Sequence, residues 1–341
     1  MRITLTAVST VAGRPAAALE RLAGAMVAGE VVDAQVRTLG AGLWVLLTHT
    51  RGENNADIHR IAWDAIEAGA PGSLAVDEFP GRLDGTGASV CELSFEERPE
   101  ESLIAFAGAG TATGAFNLPL YRTFADPFNT AGLVLSDSLS QGCSFEVHDS
   151  FERRKAVFNA PEELYDLLAY IGSPGRFVVK RVIPRASGEV ASVASSDRIA
   201  EVGGMAGHQN PLAIVRCNGD LPTVGEALEP FAIPGLVEGF GRGSHLGPWM
   251  PVSLDDASPG RFDGPPRAIA LGFRVAGGKL AGPDDLFADP SFDRAREEAN
   301  RLADVLRRQG PFEPHRLPLD EEEQAELPVS TARTESRWVQ A

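Results

Sequence analysis

The stretch GLWVLLTHTRGENNADIHRIAWDAIEAG, residues 42–69, contains the two kinds of element that decide the fold. Its first seven residues are apolar and rich in branched side chains, which predicts a buried strand. Asn54 or Asn55 can cap a helix that follows, and Gly69 can end it. The apolar face of this helix is formed by Ile58, Ile61, Ala62 and Ile66. A buried strand followed at once by an amphipathic helix indicates a sheet covered by helices.

The same pattern continues on both sides of this stretch. Residues 2–8 have the composition of a second strand, and residues 14–29 have the spacing of a second helix. Further strands are predicted at 101–107, 132–136, 143–148, 176–183, 189–194 and 211–216, further helices at 161–172 and 291–310, and a hairpin turning at Gly277-Gly278. No linker-like stretch interrupts the interior, so we expect one domain in which sheets pack together between helices.

Charge and composition limit the partners of the protein. The chain has 341 residues, 43% of them hydrophobic, and a formal net charge of −16. This charge would repel a polyanion or an anionic membrane, so we expect neither nucleic acid nor membrane as a partner. The chain has no apolar run of membrane-spanning length and no signal-peptide core, which predicts a cytoplasmic protein. Cys91, Cys143 and Cys217 lack metal-binding or redox spacing, which favours reduced, packed thiols.

Several long blocks of the chain resemble one known family. Three of them are THTRGENNADIHRIAWDA at 48–65, PEELYDLLAYIGSPGRFVVKRV at 161–182 and RRQGPFEPHRLPL at 307–319. They are similar to the bifunctional fructose-1,6-bisphosphate aldolase/phosphatases of archaea and deep-branching bacteria. The resemblance implies an α/β (α+β) fold, a single-domain four-layer α-β-β-α sandwich over residues 1–328, with a polar C-terminal tail at 329–341. It also implies a homo-oligomer, an octamer in the family.

The active-site residues of that family are not matched in this chain. The family uses several Mg²⁺ ions, an imine-forming lysine and a tyrosine, and Mg²⁺ prefers carboxylate ligands. At positions that match charged groups of the family this chain has Val11, Ala41, Gly42, Ala109 and Gly110. A tyrosine near the C-terminus is replaced by Gln324. In GGMAGHQNPLAIVR, residues 203–216, a second tyrosine is replaced by Met205, and a Lys-Asp-Asp sequence is replaced by His208, Gln209 and Asn210.

These replacements predict a repurposed enzyme that needs no metal or other cofactor. His208 would act as general acid or base near pH 7, with Gln209 and Asn210 beside it. The expected reaction is that of a lyase, isomerase or cyclase on a small polar or anionic metabolite, in biosynthesis or secondary metabolism, with the phosphatase and aldolase activities lost. The alternative is a non-catalytic relative that binds a sugar phosphate or a partner subunit, in which His208 only fills the space left by the lysine.

Five further residues are predicted to bind the substrate, and they are Arg242, Asp263, His245, Gly85 and Met205. Arg242 can hold a phosphate or carboxylate with two parallel hydrogen bonds, or it can pair with an acidic loop. Gly85 lies in DGTGAS, residues 84–89, which is similar to a family loop that approaches the substrate of a neighbouring subunit.

The remaining charged groups are expected to be structural. The only lysines of the chain are Lys155, Lys180 and Lys279, and none is favoured as an imine-forming residue. The acidic pairs at 255–256 and 284–285 are predicted to be solvated surface groups rather than metal ligands. A structural, hydrogen-bonding role is predicted for His49, His59, His148 and His315.

Overall fold

The computed structural model describes most of the chain. The described residues are 1–10, 13–40, 42–109, 111, 114–125, 141–172, 176–196, 201–202, 205–206, 210–221, 228–232, 236–239, 245–258, 265–308 and 333–341. The helices within them are α1 (Pro15–Val27), α2 (Ala56–Gly69), α3 (Asn117–Ala125), α4 (Leu164–Ile171), α5 (Glu229–Ala232) and α6 (Asp293–Arg308). The strands are β1 (Arg2–Ser9), β2 (Asp33–Leu39), β3 (Gly42–His49), β4 (Ser89–Glu96), β5 (Glu101–Ala109), β6 (Cys143–Asp149), β7 (Arg154–Ala160), β8 (Phe177–Pro184), β9 (Ser192–Ala194), β10 (Glu201–Val202), β11 (Met205–Ala206), β12 (Leu212–Asn218), β13 (Leu236–Gly239), β14 (His245–Pro248), β15 (Met250–Pro251), β16 (Arg267–Ala276), β17 (Lys279–Asp285) and β18 (Val339–Gln340).

The smaller main sheet has four antiparallel strands in the order β2-β3-β1-β4. Helices α1 and α2 pack on each other and cover one of its faces. The side chain of Asn55 caps α2 by accepting hydrogen bonds from the amides of Asp57 and Ile58. A Cβ atom at Gly69 would lie 2.8 Å from the carbonyl oxygen of Arg14, so glycine lets α2 end against the start of α1. The strand and helix predicted from residues 42–69 are thus confirmed.

The larger main sheet has ten strands, nine of them in the order β15-β16-β5-β12-β9-β8-β6-β7-β18, with β17 paired to β16. All of its pairs are antiparallel except β15 with β16. The hairpin between β16 and β17 turns at Gly277 and Gly278, as the sequence predicted. Two further two-stranded ribbons pair β10 with β11 and β13 with β14.

Three apolar clusters show that the two main sheets and the helices form four layers. Within β5, Leu103 and Ala105 face the cluster between the two sheets, whereas Ile104 and Phe106 face the cluster beneath α3, α4 and α5. The third cluster lies between the four-stranded sheet and helices α1 and α2. Because alternate residues of a strand face opposite sides of a sheet, β5 is buried on both faces. The order of layers is therefore helix, sheet, sheet, helix, which confirms the predicted fold class.

The end of the chain packs against the ten-stranded sheet, although the sequence predicted a polar tail from residue 329. Strand β18 pairs with β7 at the edge of the sheet. The ring of Trp338, 8% exposed, lies within 5.1 to 6.4 Å of the rings of Phe158, Tyr170 and Phe177. This tryptophan supplies the apolar anchor that a polar tail would lack.

Strands β2 and β4 were not predicted, and the strand predicted at 132–136 lies outside the described residues. All three cysteines are buried free thiols, and burial raises the pKa of Cys91 to about 12, so the prediction of packed thiols is confirmed. Within the described ranges, no helix is long and apolar enough to cross a membrane.

Candidate active site

The predicted catalytic segment ends at Asn210, which lies where the two main sheets meet. Asn210 comes two residues before β12 of the ten-stranded sheet, whereas Ser9 is the last residue of β1 in the four-stranded sheet. The Ser9 hydroxyl donates to the backbone carbonyl of Asn210 at 2.5 Å. The Nδ2 atom of Asn210 donates to the backbone carbonyl of Thr10 at 3.4 Å. Asn210 is 8% exposed, so these contacts fix a nearly buried amide between the sheets.

The backbone around Asn210 is also fixed within the ten-stranded sheet. The amide of Gly108 donates to the carbonyl of Pro211 at 2.8 Å, and the amide of Leu212 donates to the hydroxyl of Ser195 at 2.9 Å. A Cβ atom at Gly108 would lie 2.5 Å from the side chain of Thr111, so only glycine fits there. The end of β5 and the start of β12 therefore form a rigid wall beside Ser9, and we call this region the strand-end site.

Most of the other predicted site residues are either outside the described residues or described by their backbone alone. His208, Gln209, Arg242 and Asp263 lie outside the described residues. Met205 begins β11 and His245 begins β14, and for these two the structure describes the backbone alone.

Gly85 has a conformational role in its turn. Its φ of 76° is the left-handed conformation that glycine adopts without strain, and a Cβ atom there would meet nothing within 4 Å. The turn is closed by the hydroxyl of Thr86, which donates to the carbonyl of Leu83 at 2.5 Å. The amide of Leu83 donates in turn to Nδ1 of His59 on α2 at 3.0 Å. The loop that contains Gly85 is therefore attached to the helix layer.

A buried polar network that the sequence did not predict lies between the four-stranded sheet and α2. The Thr6 hydroxyl donates to Oε1 of Glu92 at 2.7 Å and lies 3.0 Å from Nε2 of His49. The amide of Asn54 donates to the other Glu92 oxygen at 2.7 Å, and Nε2 of His59 lies 3.3 Å from Oε1. The histidines, Thr6 and Glu92 are at most 8% exposed.

The network fixes the protonation of His49. Its Nδ1 accepts a hydrogen bond from the amide of Arg51 at 3.2 Å, so the ring proton is on Nε2, which donates to Thr6. Burial lowers the pKa of His49 to about 4, and the charge of Glu92 opposes this shift only in part. The pKa of the Glu92 carboxyl lies below its usual range, because the close contact with His59 and the hydrogen bonds from Asn54 and Thr6 outweigh its burial. Glu92 is therefore ionised and His49 neutral at pH 7, which suits a structural role.

The described residues do not by themselves fit the Mg²⁺ ions that the resemblance implies. In this part of the chain, no three His, Cys, Asp or Glu side chains converge as a metal site would require. Around Asn210 the groups described are hydroxyls, amides and carbonyls, whereas Mg²⁺ in proteins is held largely by carboxylates.

The order of its layers places the chain in the class of four-layer α-β-β-α sandwich proteins. A family model described as fructose-1,6-bisphosphatase matches residues 14–339. A protein of Moorella thermoacetica is 47% identical over 91% of this chain and 85% of its own length. A protein of Ignicoccus hospitalis is 48% identical over 95% and 86%, and one of Methanothermobacter marburgensis is 47% identical over 91% and 88%. The chain belongs to the fructose-1,6-bisphosphatase family.

These relatives contradict the prediction of a repurposed, metal-independent enzyme or a non-catalytic relative. Each of the three is named fructose-1,6-bisphosphate aldolase/phosphatase, and others at 43% to 46% identity have the same name. The prediction used a few matched positions, and most of them, including Val11 and His208, lie outside the described residues. Similarity over nine-tenths of the chain favours the activity of the family over its loss.

Proposed function

We propose that the protein acts on fructose 1,6-bisphosphate, as a phosphatase that releases inorganic phosphate and as an aldolase that makes or cleaves the sugar bisphosphate. The observation that supports this proposal is the 47% identity to the Moorella thermoacetica aldolase/phosphatase over 91% of the chain. The four-layer fold supports it as well, since this is the fold that the family resemblance implies.

In this proposal the strand-end site holds part of the substrate. The side-chain amide of Asn210 donates to the carbonyl of Thr10, and Ser9 holds the backbone carbonyl of the same residue, so Asn210 presents its amide in one orientation. A fixed amide can orient a sugar hydroxyl or a phosphate oxygen. Because its side chain is already held in place, little further conformational entropy is lost when the substrate binds. The segment from His208 to Asn210 is the part of the chain that we propose to face the substrate. Substrate binding by Arg242 stays a prediction, as it does for Asp263, His245, Gly85 and Met205.

One assay measures the release of phosphate from fructose 1,6-bisphosphate with Mg²⁺ in the buffer. A second assay measures the formation of fructose 1,6-bisphosphate from two triose phosphates. We expect the protein to release phosphate in the first assay and to form fructose 1,6-bisphosphate in the second. Fructose 6-phosphate serves as the control substrate that carries a single phosphate. Absence of both activities from the folded protein would contradict the proposal.

Two matched variants test the part played by the strand-end site. Asn210→Ala removes the amide but keeps the backbone carbonyl that Ser9 contacts, so we expect the fold to persist and kcat/KM to fall by about tenfold or more. Asn218→Ala changes the same residue type at the exposed opposite end of β12 and should leave kcat/KM unchanged. Equal activities of the two variants would remove Asn210 from the site.

Assembly and location follow from the same proposal. We propose a homo-oligomer, with the octamer of the family as the expected size, and a cytoplasmic location. Native mass spectrometry of the purified protein measures the number of subunits, and a monomer would contradict the first of these statements.

A further inference from the structure

A cavity of about 370 Å³ lies beside β4, the edge strand of the four-stranded sheet. It forms because the ten-stranded sheet extends beyond this edge, so that polar residues of β6, β7 and β8 face open space there instead of a second sheet. None of the strand-end residues Ser9, Thr10 and Asn210 lines it. The volume is sufficient for a small metabolite.

The register of the strands gathers basic side chains on this wall. Lys155 of β7 pairs directly with His148 of β6, and directly opposed residues of antiparallel strands face the same side of the sheet. On the other flank of β6 the pairing with β8 shifts between Glu146 and Val147, where Lys180 is the extra residue. This bulge lets two consecutive residues, Lys180 and Arg181, both line the cavity.

The arrangement leaves two positive charges without a directly contacting carboxylate among the described residues. Arg181 lies 2.5 Å from Glu53, and Glu146 lies 3.0 Å from Nε2 of His148. By contrast, no carboxylate of the described residues lies within 4.0 Å of the ammonium groups of Lys155 and Lys180, which are partly buried. Burial lowers the pKa of His148, and the charges of both lysines add to this effect, so the imidazole is neutral at pH 7. The lining also includes carboxylates, but they are engaged by other groups: Asp84 by Arg82, Glu53 by Arg181, and Glu92 by Thr6 and Asn54. The ammonium groups of Lys155 and Lys180 are therefore the cations of the described lining that are open to an anion.

We propose that this cavity binds a phosphoryl group between the ammonium groups of Lys155 and Lys180. Two unpaired monocations match a dianion, and a phosphate offers several oxygens to strong donors from two strands. His148 is the cross-strand neighbour of Lys155, and because its Nε2 proton faces Glu146, its Nδ1 can accept a hydrogen bond from a protonated phosphate oxygen. The phosphoryl group is either free inorganic phosphate or part of a sugar phosphate. The proposal does not depend on the reaction at the strand-end site.

Lysine acylation of the native protein tests the proposal without any substitution. The chain has three lysines, and the third, Lys279, lies exposed in β17 and does not line the cavity, so it is an internal reference. With inorganic phosphate added, we expect acetic anhydride to acylate Lys155 and Lys180 at a rate lower by about threefold or more, because a bound anion holds each amine protonated and covered. The acylation rate of Lys279 should not change when phosphate is added. Potassium chloride at equal ionic strength is the control for screening.

Binding measurements on variants give the second readout. Lys180→Gln and Lys155→Gln should each weaken phosphate binding in calorimetry by about tenfold or more, since each removes one charge-assisted hydrogen bond, whereas Lys279→Gln should bind normally. Lys180→Arg keeps the charge and should retain most of the affinity.

A comparison of fructose 6-phosphate with inorganic phosphate in the acylation assay identifies the source of the phosphoryl group, because the true ligand protects at the lower concentration. Unchanged acylation rates of Lys155 and Lys180 on addition of either compound, relative to the potassium chloride control, would overturn the proposal. Unchanged phosphate affinity of Lys180→Gln and Lys155→Gln would overturn it as well.

Discussion

Acidification should destabilise the protein through His49. The pKa of this residue is about 4 in the folded protein, because the ring is buried and the charge of Glu92 opposes this effect only in part, and about 6.5 in an unfolded chain. A folded pKa below the unfolded one means that the unfolded chain binds more protons between these values. The stabilising contribution is therefore complete above about pH 6.5 and is lost as the pH falls towards 4.

The size of this effect follows from the two pKa values. Between pH 7.5 and pH 5.5 the unfolded imidazole gains most of a proton while the folded one gains almost none, which lowers the free energy of unfolding by about 1.4 kcal/mol. At pH 5.5 the protein is still above its isoelectric point of about 4.9, so it keeps the negative charge that favours solubility.

The assay is urea unfolding at both pH values, followed by circular dichroism, for the native protein and for His49→Gln. Glutamine can donate to Thr6 in place of Nε2 but does not titrate, so the variant should lose about 1.4 kcal/mol less than the native protein on acidification. Its stability at pH 7.5 measures the packing cost separately. Parallel pH dependences of the two proteins would refute the assignment of the titration to His49.

Two other substitutions test the packing that supports the site. Asn55→Ala removes the cap of α2 and should lower the free energy of unfolding by about 1 kcal/mol in urea denaturation, and an unchanged midpoint would contradict the capping role. Glu101→Ala leaves the Arg216 guanidinium, 1% exposed in its side chain, without its buried partner and should cost about 3 kcal/mol or more. Glu189 contacts the same guanidinium from a side chain that is 46% exposed, so Glu189→Ala is the matched control and should cost less than about 1 kcal/mol. Similar losses of unfolding free energy in Glu101→Ala and Glu189→Ala would show that burial does not determine how much each ion pair with Arg216 stabilises the protein.

Local elements were predictable from the sequence because their causes are local. The cap, the apolar face and the final glycine of α2 lie within fifteen residues, and the two glycines of the β16–β17 turn lie with their flanking strands within nineteen. Strand β4 was missed because Glu92 interrupts its apolar pattern. The partners that make a buried carboxylate acceptable there, Thr6 and Asn54, are 86 and 38 residues away in the chain.

The candidate site was predictable in chemistry but not in geometry. The sequence identified Asn210 as a site residue, but its contact with Ser9 spans 201 residues and depends on how the two sheets pack. The cavity was not predicted, because it depends on the unequal width of the sheets and on the extra residue at Lys180, which shifts the strand register. Neither feature leaves a pattern within one stretch of sequence.

Strand β12 is attached to the four-stranded sheet at both of its ends. At one end Asn210 is bonded to Ser9 and Thr10, and at the other the Arg216 guanidinium stacks on Phe95 and donates to the carbonyl of Glu96 at 3.4 Å. Sliding or separating the layers would break both attachments at once. We therefore expect the two sheets to move as one block.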